Sequence, residues 1–104
     1  MAWYGVRTVY HWGEKSDGTA VFEERVVVFE AYSSDEAHEK ASAEAKAYAE
    51  GTDWVIHSDQ VSYEHGDGEH LIDAYEVWSE LFEARCSLGE FYTQRYARFE
   101  YQPE

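Results

Sequence analysis

The chain has 104 residues, the length of one domain, and its 22 acidic and 8 basic residues give a formal net charge of −14. A field of this sign repels nucleic acid and anionic membranes and attracts basic proteins, so we expect neither of the first two as partners. Aromatic residues form 17% of the chain and can build a core in a small domain, so the charge does not predict disorder.

Two strands are predicted at the start of the chain, over residues 3–12 and 21–32, with a turn at 13–18 between them. The first is rich in residues that favour a pleated surface. One of its faces carries Tyr4, Val6, Thr8, Tyr10 and Trp12. The centre of the second strand, residues 26–29, is apolar on both faces. That pattern is typical of a central strand covered on both sides, or of a strand paired across a dimer.

A helix is predicted next, because Ser33 and Glu36 have the spacing of a capping box. The helical repeat on one face consists of Ala37, Ala41, Ala45 and Tyr48. Gly51 is expected to end the helix. The small alanine side chains allow such a helix to lie close to a sheet.

The second half of the chain is predicted to contain two further strands and a helix. The third strand covers residues 54–63, and a loop with two glycines follows at 64–69. Residues 74–86 fit both a period of two and a period near 3.6, and their many Tyr, Val, Trp and Phe residues favour a strand. Ser87 and Glu90 predict a second capped helix over 88–99, and residues 100–104 are expected to be a loose tail.

The predicted element order is ββαββα, which is typical of an α+β fold. We therefore expect a single small domain over residues 1–104. Its sheet is antiparallel and four-stranded, and its helices pack on one face. The sequence contains no internal repeat and no low-complexity segment.

Three stretches carry a family resemblance: Trp3-Tyr4-Gly5-Val6; Glu24-Arg25-Val26 with Glu30-Ala31 and Asp35-Glu36-Ala37; and Tyr75-Glu76-Val77-Trp78-Ser79. In these stretches, which span nearly the whole chain, the sequence resembles a bacterial family catalogued as domain of unknown function 4288. The resemblance implies one compact domain. It implies no activity, so no site residue is carried over from it.

The loop after the third strand carries the metal candidates His65, Asp67 and His70, with Asp73 after them. Imidazole and carboxylate groups are ligands that Zn²⁺ binds, but the spacing matches no recognised motif. The alternative is a solvated acidic loop, and no cofactor is expected. Cys86 is the only cysteine, which excludes an internal disulfide, and a small buried side chain is a simpler interpretation of it than a nucleophile.

Acidic and aromatic residues interleave further along the chain. The candidate partner-binding residues are Asp73, Glu76, Trp78, Glu80 and Glu83. Such a surface can hold basic side chains, with the tryptophan as an anchor. The alternative is that the aromatic residues are core and the acids are only solvated.

We expect a small cytoplasmic protein-interaction module that binds a basic protein, and an immunity protein or antitoxin that binds a toxin is one form of it. The start of the chain has no secretory signal, and no apolar stretch is long enough to span a bilayer. Two other functions stay open. One is a homodimeric structural module that buries residues 26–29, and the other is a small metal-binding or ligand-binding enzyme that uses the loop at 65–73. The sequence has none of the common catalytic motifs, which argues against an enzyme.

Overall fold

The computed structural model describes residues 1–66, 73–74 and 76–95. Its elements in chain order are β1 (Ala2–Glu14), β2 (Ala20–Ala31), α1 (Ser34–Tyr48), β3 (Val55–Ile56), β4 (Val61–His65) and α2 (Leu88–Arg95). This order confirms the predicted α+β fold with an antiparallel four-stranded sheet. No helix in these residues is long and apolar enough to cross a bilayer.

The central strand of the sheet is β1, which pairs with β2 on one side and with β3 and β4 on the other. Tyr10 opposes Ile56 of β3, whereas Arg7 opposes Val61 of β4, so the register along this edge shifts by two residues. The strand predicted over 54–63 is therefore one sheet edge that a bulge between β3 and β4 interrupts. Gln60 in this bulge donates a hydrogen bond to the Thr8 hydroxyl at 3.0 Å.

Helix α1 covers the first face of the sheet, where the predicted alternation of β1 buries Tyr4, Val6 and Tyr10. The helix begins as predicted, because the Ser33 hydroxyl accepts a hydrogen bond from the Glu36 N–H at 3.1 Å. The buried positions of the helix are Ala37, Ala41 and Ala45. They have so little bulk that the helix backbone lies close to the large side chains of β1.

An aromatic cluster closes one end of the first face. Trp12 and Trp54 stack with ring centroids 4.6 Å apart, and Tyr10 meets the edge of Tyr48 at 5.4 Å. Burial, together with a hydrogen bond that the Tyr48 hydroxyl donates to Glu23, raises the pKa of Tyr48. The hydrophobic core thus continues beyond the alanine face of the helix.

Arg25 of β2 ties the sheet to α1 beside this cluster. Its guanidinium lies 3.6 Å from the ring centroid of Tyr48 and donates a hydrogen bond to Glu44 at 2.9 Å. The Glu44 carboxylate raises the pKa of Arg25 above its ordinary value. Because the side chains of the ion pair are only about one-quarter exposed, at 26% and 29%, water screens this interaction less than it would a surface pair.

Three expectations differ from the structure. The helices were expected to pack on one face of the sheet, but Arg25 of β2 pairs with α1 and the next residue, Glu24, pairs with Arg95 of α2, so the two helices lie on opposite faces. The strand predicted over 74–86 does not form, since residues 76–84 belong to no strand and lie across a sheet face instead. Among the described residues β2 pairs with β1 alone, so it is an edge strand of the described sheet and not a central one. The predicted tail at 100–104 and the positions 96–99 expected to end the second helix lie outside the described residues.

Candidate functional site

The second face of the sheet, opposite α1, is covered by residues 76–87, here called the crossing segment. Gly5 of β1 allows this segment to come close. A Cβ placed on Gly5 would lie 3.3 Å from the carbonyl oxygen of Val77 and 2.9 Å from His65 Nε2. A strand glycine often marks such a close approach of another backbone, and Gly5 is an example.

Two predicted acids hold the start of the crossing segment. The Tyr63 hydroxyl of β4 donates a hydrogen bond to Glu76 at 3.2 Å, and Arg7 of β1 forms an ion pair with Glu80. The Arg7 guanidinium also lies 5.8 Å from the ring centroid of Trp78. Trp78 is half-buried by this arrangement.

The far end of the crossing segment is connected to β2 through α2. Arg95 of α2 pairs with Glu24 at 3.1 Å and lies 4.2 Å from the ring centroid of Phe82. Phe82 in turn packs against Phe91, with ring centroids 5.6 Å apart. The crossing segment therefore begins at β4 and passes over β1, and α2, which follows it, links its far end to β2 through Arg95.

The outer surface of this region combines acidic and large apolar side chains. Leu81 is 94% exposed and Leu88 is 85% exposed. Between residues 73 and 92 the sequence has five carboxylates, and Arg85 is its only basic side chain. The predicted residues Asp73 and Glu83 are exposed, and neither forms an ion pair within the described ranges.

The structure thus brings Glu76, Trp78 and Glu80 together on the second face, each in contact with the sheet. Leu81 and Leu88 were not predicted to be surface residues, because a strand or helix period assigns apolar positions to a core. Gly5 is the sequence feature that could have predicted the close approach of the crossing segment, since a glycine inside an aromatic strand weakens the strand unless something packs against it.

Ion pairs among the described residues use four of the eight basic residues of the chain. The four pairs are Arg7–Glu80, Arg25–Glu44, Lys40–Glu36 and Arg95–Glu24. Because the acids outnumber the basic residues by 14, neutralising four of them leaves the surplus of negative charge unchanged. The folded chain therefore keeps a strongly negative net charge.

One member of the predicted metal site lies in the described residues. His65 is 2% exposed, with its ring centroid 5.0 Å from that of Tyr63. Asp67 and His70 lie outside the described residues. Within residues 1–66, 73–74 and 76–95, no three His, Cys, Asp or Glu side chains are grouped so that they could hold a metal ion.

The model of a family described as domain of unknown function (DUF4288) matches residues 3–88, which include every strand of the sheet, α1 and the crossing segment. No curated protein and no solved structure matches the chain.

Proposed function

We propose that this chain, which belongs to the DUF4288 family of unknown function, is a protein-interaction module that binds a basic protein through its crossing segment. The observation that carries the proposal is the nearly complete exposure of Leu81 between Glu80 and Glu83. An exposed leucine in contact with no core favours association, because a partner removes it from water.

The chemistry of the segment suits a partner rich in Lys and Arg. Apolar anchors supply the desolvated centre of an interface, and charges around them select the partner and accelerate its approach. Leu81, Phe82 and Leu88 would be the anchors, and the carboxylates around them would meet the basic side chains. Arg85 is the one basic residue of the crossing segment itself.

The predicted acids have different roles in this proposal. Asp73 and Glu83 are exposed and can pair directly with a partner's basic groups. Glu80 is already paired with Arg7, so it serves chiefly to hold the segment on the sheet. Trp78, over Arg7, supports the segment from beneath.

An immunity protein or antitoxin that masks a cationic toxin is one concrete form of this function. Such a protein would act in the cytoplasm, where the free thiol of Cys86 stays reduced. Its partner class follows from the sign of the charge, and its surface follows from the exposed apolar residues.

The test begins with affinity isolation from native cells at low salt, followed by titration calorimetry with each purified basic protein that is recovered. Leu81→Ser is expected to weaken the complex about tenfold or more, the effect of losing an interface anchor. Glu83→Lys should weaken it further by reversing a charge at the interface. The affinity of the wild-type complex should fall as salt is added, because the charges are screened.

Glu39→Lys is the matched control, since Glu39 is an exposed acid of α1, and its reversal changes the net charge equally. It should leave the affinity within about twofold, the small effect expected of a distant surface charge. Equal weakening by Glu39→Lys and Glu83→Lys would show that only the net charge matters, which contradicts a specific site. Binding that Leu81→Ser leaves intact would exclude the crossing segment.

A further inference from the structure

The outer edge of β2 has no partner strand among the described residues. The strand runs over Ala20–Ala31 and pairs with β1 and with no other described element. From Phe22 to Ala31 the pairing is regular, and the one irregularity lies in β1, between His11 and Gly13. Such a long regular edge offers a row of backbone N–H and C=O groups to another strand.

The hydrogen bonds identify which residues present those groups. The C=O of Val9 accepts a hydrogen bond from His57, so the backbone groups of Val9 point away from β2. Val9 opposes Glu24, and in an antiparallel pair the opposed residue then also points its N–H and C=O outward. The even-numbered residues 22–30 therefore face the edge. In agreement, Lys40 Nζ donates to the C=O of Glu30 at 2.6 Å.

Strand edges in natural proteins are blocked by charged side chains, especially Lys, by Pro, by bulges or by short length, and β2 carries Glu23, Glu24, Arg25 and Glu30 around its apolar centre. β2 contains neither Lys nor Pro, and the contact with Lys40 covers only the end of the strand, at Glu30. Beside the edge on the second face, Val26 is 38% exposed and Val28 is 40% exposed. We infer that β2 pairs antiparallel with β2 of a second copy of this chain, which makes one continuous sheet across a two-fold axis.

Charge excludes most registers of this pairing. A two-fold axis at Glu24 or Arg25 would place a charged side chain opposite its own copy. An axis at Val27 would place Glu24 opposite Glu30. Like charges directly across a strand pair are destabilising.

An axis at Val26 avoids these conflicts. Val26 then opposes Val26 of the second copy, Glu24 opposes Val28, and the ladder extends from residue 21 to residue 31. The strand is thus complementary to itself in one long register, which is the property that an isologous interface requires and the reason for choosing a second copy as the occupant. The exposed valines of the two copies would meet at the centre of the new sheet face.

The effect of salt distinguishes this dimer from the proposed complex with a basic protein. Two copies of net charge −14 repel one another, and added salt screens that repulsion. The dissociation constant of the dimer should therefore fall as NaCl is raised, whereas the complex with a basic protein weakens. The dimer assay contains no partner protein, so failure of this inference leaves the proposed function standing, and the reverse also holds.

Sedimentation equilibrium of the full chain tests the dimer. At high salt we expect twice the 12.1 kDa monomer mass. Val26→Lys places two lysines face to face and should raise the dissociation constant at least about tenfold, as like charges at an interface do. Val61→Lys is the control, because Val61 is 44% exposed on the same sheet face but on β4, and it should leave the constant unchanged.

Cysteine crosslinking tests the register in a Cys86→Ser background. With the axis at Val26, the two Val26→Cys positions have Cα atoms about 5.5 Å apart, within reach of a disulfide. The two Val28→Cys positions would lie about 14 Å apart, because they are offset by four residues along the strands. We expect a crosslinked dimer from Val26→Cys and none from Val28→Cys.

Three results would overturn the inference. The first is a monomeric wild-type chain at high salt and high protein concentration. The second is a dimer that Val26→Lys and Val61→Lys affect equally. The third is crosslinking of Val28→Cys at the rate of Val26→Cys, which contradicts the register with its axis at Val26.

Discussion

Replacement of Gly5 by alanine should loosen the crossing segment and lower the free energy of unfolding. The added Cβ would lie 2.9 Å from His65 Nε2 and 3.3 Å from the Val77 carbonyl oxygen. His65 is 2% exposed, so its ring has little room to move away. The easier response is displacement of Val77, and with it the start of the crossing segment.

The expected magnitude follows from two opposed terms. Inserting a methyl group into a filled site costs about 1 to 3 kcal/mol. Replacing glycine by alanine also restricts the unfolded chain, which stabilises the fold by about 0.4 to 1 kcal/mol. The net loss should be about 1 to 2 kcal/mol, which lowers the melting temperature of a domain of this size by about 4 to 16 °C.

Urea unfolding gives the free energy, and amide hydrogen exchange over residues 76–87 reports whether the segment has loosened. Gly89→Ala is the matched control. Gly89 lies in α2, and a Cβ there would meet nothing within 4 Å. This second glycine-to-alanine change should stabilise the chain by up to about 1 kcal/mol, because alanine favours a helix.

A Gly5→Ala protein with wild-type stability and unchanged exchange would refute the idea that Gly5 holds the segment close. A double-mutant cycle checks the cause. His65→Ala removes the nearer obstacle, so Gly5→Ala should cost less in that background than in the wild type. Additive effects would mean that His65 is not what the new methyl group meets.

Three further predictions concern the first face of the sheet. Arg25→Met should lower the free energy of unfolding by about 1 to 3 kcal/mol, because it leaves Glu44 without its charged donor, whereas Lys46→Met at an exposed position should change it by less than about 0.5 kcal/mol in the same urea titration. Ser33→Ala should cost about 1 kcal/mol and reduce the helical signal in circular dichroism, since the helix loses its N-cap; an unchanged melting curve would contradict that role. Because the pKa of Tyr48 is raised in the fold, its contribution to stability is present below about pH 10 and is lost at higher pH, so Tyr48→Phe should reduce the loss of stability between about pH 8 and pH 11.

Local patterns in the sequence were sufficient to predict the elements whose signals lie within a few neighbouring residues. The capping box at Ser33 and the alanine repeat predicted α1, and the alternation in β1 predicted which of its residues share a face. Ser87 also begins α2 as predicted, since its hydroxyl accepts a hydrogen bond from the Glu90 N–H at 3.1 Å. Each of these signals operates over a few residues, so no knowledge of the rest of the fold is needed to interpret it.

The tertiary structure alone decided which surfaces meet. Residues 76–84 have the composition of a strand, yet they lie flat on the second face, because Gly5 leaves room there and Arg7 offers a charge for Glu80. The strand β2, despite its apolar centre, likewise lies at an edge of the described sheet. The central position belongs to β1, which pairs with β2 on one side and with β3 and β4 on the other. Composition sets a residue's preference for extended backbone, but pairing and coverage depend on which positions distant parts of the chain have already filled.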